Sequence, residues 1–106
     1  MGDKAGQALK MKFKRASKRV WSLTERPSNE QLLELYALYK QATEGDCQGK
    51  ARGGLKERAK WKSWNAIIGM SQVDAMGKYC SIVDEFGGFL DNIFDKGFLW
   101  FSHNNR

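Results

Sequence analysis

The chain has 106 residues, 42% of them hydrophobic and 28% charged, with a formal net charge of +6. That length makes one domain with a modest core, which excludes a large enclosed active site. The charge favours an anionic partner, whether nucleic acid, an acidic membrane surface or a phosphorylated small molecule.

Helical periodicity appears in four places. In the first segment Phe13, Ala16, Val20 and Leu23 recur at helical spacing and make one apolar stripe, with Lys10, Lys14, Lys18 and Arg19 off or beside it. Arg26-Pro27 ends that helix, because the proline ring restricts the residue before it. Ser28 then caps a second helix over Asn29 to Thr43, and Gln31 completes a capping box. Leu32, Tyr36, Tyr39 and Thr43 share one face of it, and Leu33, Tyr36 and Lys40 an adjoining one. Gly45-Asp46 closes it.

Residues 45–54 hold Gly45, Gly49, Gly53 and Gly54 and read as a loop. A third helix is expected over Leu55 to Ile68, with Trp61, Trp64 and Ile67 or Ile68 as its buried stripe and Gly69 as its stop. Ser71 caps a fourth, with Asp74 as capping partner, in which Val73, Met76, Cys80 and Val83 repeat and Tyr79 and Phe86 lie alongside. Gly87-Gly88 marks a domain edge. The chain thus divides into a basic N-terminal extension 1–11, a helical domain 12–86 and an amphipathic, hydrophobic tail 87–106. Three readings of that tail stand open: packing on the bundle, binding to a membrane surface with help from the basic N-terminus, or a segment that is disordered or the truncated start of a longer chain. With no strand signal, the fold class is an all-α bundle.

Catalytic and metal chemistry find little to work with. His103 is the only histidine and lies near the C-terminus, so neither a Ser-His-Asp nor a Cys-His arrangement is available, and no enzyme is expected. Cys47 and Cys80 have no metal-ligand spacing, so no metal or other cofactor is expected. No secretory signal is recognisable, and both thiols read as free in a reducing, cytoplasmic setting. No apolar run approaches the roughly 18–20 residues of a membrane span.

The most informative run is Tyr36-Ala-Leu-Tyr39-Lys40-Gln-Ala-Thr43, followed by Gly45-Asp46. Lys60-Trp61 with Trp64-Asn65 comes next, then Asp74-Ala75-Met76 with Tyr79. As an ordered set over Phe13 to Phe86, these motifs resemble the acyl-CoA-binding protein family. The resemblance implies a four-helix up-down-down-up bundle, here with a short hydrophobic C-terminal extension. It implies a monomeric cytoplasmic carrier and pool former for medium- to long-chain acyl-CoA, serving acyl-CoA-using enzymes.

It also implies site residues. Tyr36 matches the tyrosine that lies against the adenine, and Lys40, one turn on, the lysine that pairs with the 3′-phosphate. Lys60 matches a second phosphate-binding lysine, Lys56 a further ligand-contacting position, and Tyr79 the fourth-helix tyrosine that closes the head-group site. Leu32 and Leu33 correspond to residues lining the acyl channel. Tyr39 reads as either core or channel. Trp61 and Trp64 read as core, with Trp61 the one nearer an acyl chain.

Three departures from the family pattern stand out, the first being the tail after Gly88, which has no counterpart in the minimal family domain. Trp21 occupies the position of the usual first-helix cation; either Lys18 or Arg19 reaches the phosphates instead, or Trp21 covers the thioester and acyl stem. The stretch between Gly45-Asp46 and Lys60 is about two residues shorter than usual and carries Gly53-Gly54. The alternative function is a basic helical nucleic-acid-binding module, resting on the net charge and the lysine-rich segment 10–19, although no recognition motif accompanies that charge.

Overall fold

The structure, a computed structural model, describes residues 3–23 and 26–87. These form α1 (Asp3–Arg19), a 3₁₀ turn (Val20–Ser22), α2 (Asn29–Glu44), α3 (Leu55–Asn65) and α4 (Gln72–Gly87), with no strand among the described residues. The tail 88–106, and the readings offered for it, lie outside the described residues. The basic segment expected as an extension is helical from Asp3 and continuous with α1.

The expected stripe of α1 is buried: Phe13, Ala16, Val20 and Leu23 all enter the core, and Leu9 extends the stripe one turn upstream. The capping box at Ser28 is complete. The Gln31 amide donates to Ser28 Oγ at 3.1 Å, and the Ser28 amide donates to Gln31 Oε1 at 2.9 Å. Two helix-end donors are thereby satisfied that would otherwise face only water. At the other end of α2, Gly45 takes a φ of 86°, and its amide donates to Gln41 O at 3.1 Å. A side chain there would be strained.

Partner residues fix the helix directions. Phe13 meets Tyr79 edge-on at 5.1 Å, and further along both helices Arg19 pairs with Asp84 at 3.1 Å, so α1 and α4 run parallel. Tyr39 sits 6.1 Å from Tyr79, whereas Gln72 donates back to Ala42 O at 3.1 Å, so α2 and α4 are antiparallel. Tyr36 faces Lys60 and Lys40 faces Trp64, which makes α2 and α3 parallel. The bundle is therefore up-down-down-up. Leu35, Leu38, Ala75, Met76, Tyr79, Cys80 and Val83 complete the core with the α1 stripe. Each fully buried large aliphatic contributes about 1.5–3 kcal/mol.

Three expectations are corrected. α3 stops at Asn65 rather than Ile68, because the amides of Ile67 and Ile68 turn to the carbonyls three residues back, at 3.1 and 3.3 Å. That tighter bonding ends an α-helix. No residue of α3 is buried, so Trp61 and Trp64 are not core. The helix packs chiefly on α2 at the bundle's edge, which leaves its inward face half covered; Ile67 touches the core and Ile68 is exposed. On α4, Val73 is 57% exposed and Ala75 takes its place in the core. The first turn meets α2 through Gln72, and Val73 points outward.

Candidate functional site

Parallel packing of α2 on α3 sets two aromatic–cation pairs side by side. Lys60 Nζ lies 5.3 Å from the Tyr36 ring centre, and one turn further Lys40 Nζ lies 5.1 Å from the Trp64 ring centre. Lys40 also forms an ion pair with Glu44 on its own helix. Together with Lys50, Arg52, Glu57 and Trp61, these four line a cleft of about 490 Å³. The cleft thus combines four cations, three aromatic rings and one acid.

Partial burial tunes the groups inside it. Desolvation raises the Tyr36 phenol above its ordinary value, and the charge of Lys40 offsets part of that rise. Desolvation lowers the Lys60 ammonium, with Glu57 opposing the shift and Lys56 adding to it. A dehydrated ammonium beside an aromatic face gains more from an incoming anion than one in open water.

The α2–α3 loop is held against α3 at two points. Trp61 Nε1 donates to Gln48 O at 3.4 Å, and Arg58 Nε donates to Gly53 O at 2.9 Å. Behind the cleft lies a polar hub at Gln41, which is 1% exposed. Its amide nitrogen donates to Asp46 Oδ1 and to Met70 O, both at 2.8 Å, and its oxygen accepts from Trp64 Nε1 at 3.1 Å. The same indole N–H also reaches Gly45 O at 2.9 Å, and Asp46 accepts from the Gly69 amide at 2.8 Å. The bonds from the Gly69 amide and from Gln41 hold the Asp46 carboxyl below its ordinary value, the Gly69 amide contributing most.

A second groove, of about 430 Å³, is lined on α2 by Leu33, which precedes Tyr36, and by Ala37 and Leu38, which lie between Tyr36 and Lys40. Ile67 and Met70 supply the rest of its apolar surface, and Glu30, Glu34, Ser63 and Lys78 its polar rim.

The structure therefore brings Tyr36, Lys40 and Lys60 into one cleft and sets Leu33 in the second groove. The other anticipated residues lie elsewhere. Lys56 is exposed on α3 and does not line the cleft. Leu32 is buried, and Tyr39 stacks on Phe13 at 5.7 Å. Tyr79 is 1% exposed in the core, and its burial pushes the phenol far up. Trp21 packs against the core from the 3₁₀ turn. Arg19, weighed as a replacement cation, is engaged with Asp84.

Four participants escape a reading of the sequence. Lys50 and Arg52 resemble ordinary solvated loop charges, and their only signal is the glycines around them. Gln41 and Asp46 fall inside the Tyr36–Asp46 run, but their partners come from segments far along the chain.

Known proteins resemble the chain in sequence and in fold. The family model described as acyl-CoA-binding protein matches residues 10–83. The acyl-CoA-binding protein of Saccharomyces cerevisiae is 45% identical over 75 residues, covering 69% of this chain and 86% of that one. Acyl-CoA-binding domain-containing protein 6 of Arabidopsis thaliana is 46% identical over 79 residues, covering 73% and 86%. The crystal structure of Oryza sativa acyl-CoA-binding protein 2 superposes with a TM-score of 0.73 at 36% identity, over 77% of this chain and 91% of that one. By sequence over most of its length, and by fold, the chain belongs to the acyl-CoA-binding protein family.

Proposed function

We propose that the chain binds medium- to long-chain acyl-CoA thioesters non-covalently and serves as their carrier and pool former. The nucleotide head occupies the α2–α3 cleft. The observation that carries this reading is the pair of aromatic–cation contacts, Tyr36 with Lys60 and Lys40 with Trp64, on adjacent parallel helices. An adenine needs a flat apolar face, and its ribose phosphate and pyrophosphate need cations within a few ångströms of that face. In the free chain Lys60 covers the Tyr36 ring. When adenine takes that face, Lys60 moves to the phosphates and Lys40 divides its charge between Glu44 and the ligand.

The acyl chain follows the groove at Leu33, next to Tyr36 on α2. Each buried methylene contributes ~0.8 kcal/mol, so ten supply ~8 kcal/mol, equivalent to micromolar binding before chain ordering takes some back. Leu32, Tyr39 and Tyr79 support the cleft from the bundle side, Lys56 adds long-range charge from α3, and Trp21 covers the acyl stem. The chain acts as a monomer in the cytoplasm, performs no chemistry on the thioester and hands it to enzymes that use it. Contact with a membrane surface, through the tail and the basic N-terminus, belongs to the same reading. The nucleic-acid alternative rests on charge alone, whereas the family relationship favours the thioester.

Calorimetric titration tests this. Hexadecanoyl-CoA is expected to bind far more tightly than free CoA, with affinity rising with chain length until the groove is filled. Equal affinity with and without the acyl chain, or no heat from either ligand, would reject the reading. Release of free CoA thiol during the titration would reject the carrier role.

A further inference from the structure

We propose that Lys50 and Arg52, on the α2–α3 loop, form a second cationic station that grips a phosphate group of the nucleotide head. This rests on the acyl-CoA reading and assigns part of the recognition to a loop rather than to the helices. Both residues line the same cleft as Tyr36, Lys40 and Lys60.

The loop that carries them is tethered on either side of the pair. Trp61 holds it at Gln48, and Arg58 holds it at Gly53. Gly53 has a φ of +87°, and a Cβ there would lie 2.9 Å from Glu57 Cβ. Only glycine lets the backbone approach α3 so closely. Lys50 and Arg52 lie between the two tethers, so the fold itself sets them at the cleft's edge.

Charge matching points the same way. A phosphomonoester carries about −1.5 to −2 at neutral pH, and the pyrophosphate of the same head adds further negative charge. Lys40 is already partly neutralised by Glu44, and Glu57 lines the cleft itself. Two helix lysines alone leave much of the ligand's charge unmatched. Among the described residues, no acid forms a salt bridge with Lys50 or Arg52. Arg52 adds a planar fork that takes two phosphate oxygens at once, which lysine cannot do.

The test is titration of hexadecanoyl-CoA and its 3′-dephospho analogue into the wild-type chain and a Lys50→Ala/Arg52→Ala variant. Helix content is checked by circular dichroism, and a Lys10→Ala/Lys14→Ala variant on α1 removes the same charge away from the cleft. The loop variant is expected to lose about ten- to hundredfold in affinity for hexadecanoyl-CoA, and the α1 variant little. If the loss shrinks with the dephospho ligand, the station holds the 3′-phosphate; if it persists, it holds the pyrophosphate. Wild-type affinity in the loop variant, or an equal loss in the α1 variant, would overturn the assignment while leaving acyl-CoA binding intact. Failure of the wild-type chain to bind would remove both.

Discussion

Lys60 Nζ sits 5.3 Å from the centre of the Tyr36 ring, joining a helix-three cation to a helix-two aromatic face. Such a contact contributes about 0.5–1 kcal/mol where it is partly exposed. It also keeps the ring and the ammonium together in the free chain, so less ordering is needed when a nucleotide arrives. Tyr36→Ala and Lys60→Ala should each weaken acyl-CoA binding by about 1–3 kcal/mol. Calorimetry on both single variants and the double should give a clearly non-additive cycle, because the two groups touch each other and the same ligand.

One acid in the cleft and one that pairs with a cleft lysine oppose an anionic ligand. Glu44 pairs with Lys40, and Glu57 stands three residues before Lys60 on α3. Replacing either by glutamine should strengthen binding, by about 0.2–1 kcal/mol in keeping with exposed ion pairs. The gain should shrink as salt is added. Titrations of Glu44→Gln and Glu57→Gln at low and high ionic strength check both the sign and the screening.

Gln41 joins α2, the start of the α2–α3 loop, Trp64 and Met70 through one buried amide. Gln41→Ala takes the side-chain donor away from Met70 O and Asp46, leaves the Trp64 indole only Gly45 O, and opens a cavity in a buried site. Urea unfolding should show a loss of about 2–4 kcal/mol, since unsatisfied buried groups cost more than the bonds themselves contribute. The Trp64 fluorescence maximum should move as its hydrogen bond changes.

Asp46 supplies the acid sensitivity of the same hub. Its carboxyl is held below its ordinary value of 3.8 by the Gly69 amide and then by Gln41. A depressed value in the folded state adds stability above the unfolded value, and this is lost as pH falls through the folded one. Stability should therefore decline below about pH 4, and Asp46→Asn should flatten that decline while lowering stability at neutral pH. Urea midpoints at a series of acid pH values measure it.

Features that depend on neighbouring residues are legible in the chain. The Ser28–Gln31 box and the Phe13–Leu23 stripe follow from local spacing, and both form as expected. The all-α bundle follows from the same periodicities, while its up-down-down-up order came through the family resemblance. Tyr36, Lys40 and Lys60 also stood out through that resemblance, because spacing alone cannot tell a phosphate lysine from a solvated one. Trp61 and Trp64 were misplaced for a physical reason. An apolar stripe announces burial, but α3 has most of its packing on one helix, so its rings wall a cleft instead. Lys50, Arg52 and Gln41 were invisible, since their surroundings are assembled from segments distant in sequence.

The claim at the centre of the account is that the α2–α3 cleft receives the nucleotide head. An NMR titration with hexadecanoyl-CoA tests it most directly, read at the backbone amides and the indole N–H signals of Trp61 and Trp64. The account predicts the largest shifts at Tyr36, Lys40, Lys60, Trp61 and Trp64, with small ones along the exposed side of α1 at Lys10 and Lys14. Shifts concentrated on α1, or none in the cleft at saturating ligand, would contradict it.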